Sequence, residues 1–153
     1  MTSQVVAAFA IRCLLVVLFF PFSALDKTLN FGGAVGQAQQ VFKARPVAVA
    51  MIFTGLAVEA LMPLGIITGT ADRLAAFILA GYCIVTALLF KQFWTPGDFW
   101  AHGESKGRDL FWDFLKNFAL AGGFLLITVG LNGGGLHAFI SNPTASTHPY
   151  AMH

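Results

Sequence analysis

Charge is what this sequence has least of. Asp, Glu, Lys and Arg make up 10% of its 153 residues, against roughly a quarter in soluble domains. Hydrophobic residues make up 57%, and the mean hydropathy is +0.74. An ordinary soluble domain is excluded. The net charge of +2, with no basic cluster, argues against nucleic acid as a partner. Cysteine is nearly absent: Cys13 and Cys83 stand in separate apolar stretches with no C-x-x-C. Both read as small buried hydrophobes, and a thiol–disulfide relay is not expected. Histidine is missing from every long apolar run, since His102, His137, His148 and His153 fall in connections or the tail. A haem held by two helical histidines across a bilayer is therefore not expected. His148 and His153 read as solvated rather than as metal ligands, and no metal is expected. H-E-x-x-H and the dinucleotide fingerprint are also missing. Electrons, if the chain deals in them, must come from a partner.

What the sequence does have is four long apolar windows: Val5–Leu25, Val47–Gly69, Asp72–Trp94 and Leu110–Leu131. Each approaches the ~20 residues that cross a bilayer core. They use most of the chain, and the expected fold is all-α, an integral membrane four-helix bundle over residues 1–135 with a tail from 136 to 153. A cleaved signal peptide fits the first window poorly, because Arg12 lies inside the apolar stretch and no basic segment precedes it. Between the first two windows, Leu29–Pro46 is too polar to span, and its spacing of Val35, Ala38, Phe42 and Arg45 predicts a short interfacial helix. A tight turn is expected around Gly69–Asp72, with Thr70 or Asp72 as cap. Trp94, Trp100 and Trp112 surround the Pro-Gly-containing third connection, as an interfacial belt or a platform for a flat ligand. The Gly-rich tail reads as a loosely ordered end unless a partner holds it. Lys27, Lys43, Arg45, Lys91, Lys106 and Arg108 lie on the side of the first and third connections. The positive-inside rule puts that side in the cytoplasm and both termini outside.

The few charges inside the spans carry the functional question, since each costs a few kcal/mol in hydrocarbon. On the fourth helix, Asp109, Asp113, Lys116, Asn117, Leu120 and Gly123 share one side. Phe111, Phe114, Leu115, Phe118 and Leu125 take the other, which is expected to meet lipid or another subunit. Asp113 and Lys116 are spaced to pair locally. Glu59 precedes Pro63 by one turn, and Pro63 has no N–H for the Glu59 carbonyl. A carboxylate and an unpaired backbone acceptor thus share one depth and need a partner, a water or a ligand. Counting from the span ends puts Arg12 within ~5 Å of the depth of Glu59, and its planar fork suits a carboxylate. Two polar layers are expected, Arg12 with Glu59, and Asp26, Lys27, Asp113, Lys116 and Asn117 nearer the basic side. The candidate intramembrane site is therefore Arg12, Lys27, Glu59, Asp113, Lys116 and Asn117. The competing reading is that these charges only fix helix register.

The combination resembles the DoxX family of small four-helix membrane proteins. The features that carry the resemblance are Arg12 in AIRCLLVVLFF, Lys27 after Ser23, and Glu59 in GLAVEALMPLGIITG. Arg73 after the turn and DFLKNFALAGGFLLI in the last helix complete the set, from about Ile11 to Gly135. The resemblance implies the bacterial cytoplasmic membrane and a link to redox metabolism, since relatives include a subunit of thiosulfate:quinone oxidoreductase. Its leading implication is a small subunit of a quinone-linked complex, anchoring a partner oxidoreductase and holding or binding near a quinone. Lys116, Asn117 and Arg12 would donate to the ring carbonyls, and Glu59 would exchange a proton. The alternatives are a non-catalytic assembly subunit and, third, a small-solute carrier, which the lack of evident inverted repeats disfavours.

Overall fold

A computed structural model of the chain describes residues 3–130 and 135–151. Among these the chain is all-α, with helices α1 (Ser3–Val17), α2 (Phe20–Leu29), α3 (Phe31–Val41), α4 (Arg45–Thr68), α5 (Asp72–Phe90), α6 (Lys106–Val129) and α7 (Gly135–Ser141). Four helical stretches are long and apolar enough to span a membrane: Ser3–Leu29 (α1 with α2), α4, α5 and α6. Large apolar side chains such as Ile11, Leu14, Phe22, Leu61, Phe77 and Leu126 are exposed on their outer faces, as for a protein solvated by lipid.

The first span is broken rather than continuous. Pro21 sits in the first turn of α2 and has no N–H to offer the carbonyl four residues back. The chain turns at Leu18–Phe19 before the helix restarts, and Phe20 then points into the core. In α4, Pro46 opens the helix and Gly69, in the left-handed region at φ 76°, ends it. Asp72 begins α5 without capping it; its carboxylate is engaged elsewhere.

α5 is the central helix. Its Ala75, Ala76, Leu79, Ala80 and Cys83 are buried, and these mostly small side chains let α4 and α6 come close on either side. Val16, Phe20, Ile66, Ala121 and Phe124 complete the core. Cys13 and Cys83 are free thiols. The polar stretch between the first two spans folds as α3, which packs Val35 and Ala38 on Ala48 of α4.

Two expectations change here. Phe111 and Phe114 turn inward, both against Phe93 at ring-centroid distances of 5.0 and 5.4 Å. Phe93 packs on Trp94, Phe99, Phe111 and Phe114 at the third connection, and Trp94, Trp100 and Trp112 are exposed. The tail is tied down by its own bundle: α7 packs Phe139 against Phe77, and the segment beyond it docks near the α4–α5 turn. Residues 131–134, including Asn132, Gly133 and Gly134 of the Gly-rich stretch, and His153 lie outside the described residues.

Candidate functional site

Intramembrane charges need partners, and the structure sorts them into three separate places. One surrounds Glu59, 1% exposed. Lys27 and Ser23, one turn apart on α2, share a face and both reach its Oε1. Lys27 Nζ donates at 2.6 Å and Ser23 Oγ at 2.8 Å. Tyr82 of α5 donates its hydroxyl to the same oxygen at 2.8 Å. Lys27 also donates to Ser23 Oγ at 2.7 Å, which fixes the ammonium. Three donors therefore converge on one carboxylate oxygen. Glu59 Oε2 is buried and has no hydrogen-bond partner among the described residues. A carboxylate can accept at both oxygens, so half of this one is unused.

The reason Tyr82 fits lies one turn earlier on α4. A Cβ at Gly55 would stand 3.3 Å from the Tyr82 hydroxyl. Glycine there leaves the phenol room to reach across.

Around Glu59 is a cavity of about 430 Å³. Ser23, Lys27, Tyr82 and Glu59 form its polar end, Asp26, Asn30 and Gln37 bring further polar groups, and Ile52, Val85, Leu89 and Phe90 give apolar wall. Its size and its mixture of apolar wall with a few convergent polar groups are those of a small-molecule site.

The second cluster is Arg12 with Asp72, and it corrects the expected pairing of Arg12 with Glu59. Arg12 Nη2 lies 2.8 Å from Asp72 Oδ2, and Nη1 donates to the Ile66 carbonyl at 2.6 Å. Ile66 is seven residues past Glu59 on α4, so the guanidinium sits about 10 Å further along that helix. Lys27 takes the place assigned to Arg12, because its long stem brings the ammonium back to Glu59. The tail closes the Arg12 cluster. Thr147 accepts from Arg12 at 2.8 Å, donates its N–H to Asp72 Oδ1 at 2.9 Å, and donates its hydroxyl to Oδ2. Tyr150 donates to the Ile67 carbonyl. Both Asp72 oxygens are engaged.

The third cluster lies between α5 and α6. Asp113 pairs with Lys91 at 3.0 Å and, as its spacing predicted, with Lys116 at 3.4 Å. Asn117 donates to the Asp113 carbonyl at 2.9 Å. Lys116 does not face the bundle interior: its side chain is 72% exposed. Asp109 and Asp26 are exposed as well. The six candidate residues are thus three sites, and only Lys27, Glu59 and Asn117 border the Glu59 cavity.

Sequence reasoning missed Tyr82, Asp72 and Thr147. Tyr82 had a signal, since a mid-span tyrosine hydroxyl needs a partner. Thr147 had none, because nothing in a polar tail announces where it docks.

Outside the spans, the third connection is pinned at the start of α6. Asp98 accepts from the N–H groups of Gly107 and Lys106, both at 2.8 Å, and Ser105 caps the helix through the Arg108 N–H. The Gly107 bond foremost holds the Asp98 carboxyl below the usual carboxylate range.

No curated protein and no solved structure matches the chain. The sequence model of the DoxX family matches residues 7–92. The match takes in Arg12, Ser23, Lys27, Glu59, Asp72 and Tyr82, hence all of the Glu59 cluster, and stops short of the fourth span. This chain is a multi-pass membrane protein and belongs to the DoxX family.

Proposed function

We propose that the protein is a subunit of a quinone-linked redox complex of the bacterial cytoplasmic membrane, and that the Glu59 cavity takes the ring of a quinol or quinone. One observation carries the reading: Glu59 Oε2, buried, has no hydrogen-bond partner among the described residues. A buried acceptor left open costs about 1–3 kcal/mol, more when charged, so a ligand hydroxyl has a strong reason to occupy it. A quinol hydroxyl supplies that donor. Lys27, Ser23 and Tyr82 hold the carboxylate still, and the apolar wall suits a flat ring.

In this reading the basic side, with α3 at the membrane surface, faces the cytoplasm, and both termini face outward. The electrons belong to a partner oxidoreductase that the chain anchors.

The test is to purify the protein in mild detergent from its native membrane, extract its lipids and identify what co-purifies. Quinol, or the quinone it oxidises to during extraction, is expected in near-equal amount to the protein, lost in Glu59→Gln, together with a redox subunit. A preparation with neither overturns the proposal. The assembly-subunit reading predicts otherwise: Glu59→Gln and Lys116→Met lower the yield of complex, while turnover per assembled complex is unchanged.

A further inference from the structure

A second hollow lies beside the first. Between α1 and α6 runs a groove of about 590 Å³, walled mainly by Leu14, Leu15, Leu18 and Leu120, lined also by the Asp113–Lys116 pair, and open on its outer side. Further along, side chains of the first span reach α6. Leu15 of α1 would be 3.2 Å from a Cβ at Gly123, and Phe20 of α2, past the break, meets Phe124 at 5.7 Å. At the groove α1 and α6 part, and small Ala119 leaves the α6 wall low.

Groove and cavity adjoin. Phe19, Lys91 and Asn117 line both. Phe19 occupies the break in the first span, with φ −122° and ψ −59°, outside helical geometry. An unbroken helix would carry the first span straight past this point; the break places a half-exposed phenyl ring at the junction instead.

We infer that the groove holds the hydrocarbon tail of the same molecule whose headgroup the Glu59 cavity takes, so that the ligand is a long-chain amphiphile with an uncharged, hydroxyl-bearing ring. The inference rests on the cavity reading above and adds the second half of the ligand. Continuity selects the occupant: whatever fills both hollows has a polar end that donates to Glu59 Oε2 and an apolar end among leucines. The unused carboxylate oxygen disfavours an anionic phospholipid headgroup at the inner end. A partner helix cannot enter the cavity, whereas a chain of methylenes can pass beside Phe19. Each buried methylene adds ~0.8 kcal/mol, so even two in the groove are worth about tenfold in affinity.

The experiment uses the full-length protein in detergent, with decyl-quinol and the same quinol ring without its chain, both kept reduced. Ala119 is exposed, so Ala119→Trp fills the groove without disturbing the core. The tryptophan is expected to weaken decyl-quinol about tenfold and to leave the Kd of the bare ring unchanged. The bare ring thereby reports that the variant is folded. Leu18→Ala, which lowers a wall without filling the space, is expected to weaken decyl-quinol a few-fold. Binding of both ligands with the tryptophan affecting neither, or both equally, overturns the groove assignment and leaves the cavity standing. Failure of both ligands to bind the unmodified protein overturns the cavity reading, and the tail site falls with it.

Discussion

Two buried carboxylates sit at different levels of one bundle and are treated in opposite ways. Asp72 has a cation, a hydroxyl and a backbone N–H spread over both of its oxygens, and the tail covers it. Glu59 has a cation and two hydroxyls on one oxygen and, among the described residues, no partner on the other, beside a cavity. Burial and charge are alike; satisfaction is not. A saturated ion pair in a membrane interior holds helices together, as the Arg12–Asp72 pair joins α1, α5 and the tail. In the function proposed above, the unmet acceptor of the Glu59 pair is what a ligand hydroxyl fills. Ionisable groups in membrane spans are functional candidates by default; here the unmet acceptor separates the site from the fastening.

The largest effect that would test this contrast comes from removing Arg12. Arg12→Met strands the Asp72 carboxylate and is expected to cost about 3–5 kcal/mol, read as lost folded yield or as unfolding in detergent. The double variant Arg12→Met/Asp72→Leu is expected to recover much of that loss, because two apolar groups replace the pair. Next is Thr147→Val, which takes hydrogen bonds from both charged partners and is expected to cost about 1.5–3 kcal/mol while leaving ligand binding intact. Glu59→Gln should invert the pattern, with a smaller stability loss than Arg12→Met, because the Lys27 ammonium it leaves behind is 24% exposed, and with ligand binding lost. Equal destabilisation by Asp72→Asn and Glu59→Gln would erase the distinction between the two regions.

Smaller effects sharpen it. Gly55→Ala gains helix propensity of about 1 kcal/mol but puts a Cβ 3.3 Å from the Tyr82 hydroxyl. Near-neutral stability with a few-fold weaker quinol binding is expected. Smallest is the response of the third connection to acid. The Asp98 carboxyl titrates below its ordinary value because it accepts the Gly107 and Lys106 N–H groups. Its contribution is therefore full above the unfolded value of about 4 and is lost as pH falls through the lowered folded value. Amide exchange at Lys106 and Gly107 should rise in that window, and Asp98→Asn should flatten the dependence.

Much of the fold was legible in the sequence because hydropathy reports spans directly. The four windows fall on the four spans with ends displaced by a few residues, and the polar stretch at 31–41 is helical. The site was legible only in part. Lys27 and Glu59 were named, but counting residues gives depth alone, and depth from uncertain span ends misplaced Arg12 by about two turns. Azimuth about each helix decides which groups meet, and the break at Leu18–Phe19 resets it for Ser23 and Lys27. Lys116 was misassigned for a related reason: a helical wheel gives a polar face, whereas the gap between α1 and α6 leaves part of that face uncovered. Thr147 was beyond reach, since its role depends on where a distant tail returns.

The most direct measurement is thermal unfolding of the purified protein with and without saturating quinol, in the native sequence and in Glu59→Gln. At a ligand concentration near a hundred times Kd, a site that binds only the folded state adds about 2.7 kcal/mol. The account predicts an upward shift in Tm for the native protein and none for Glu59→Gln. Equal shifts in both, or none in either, would contradict it.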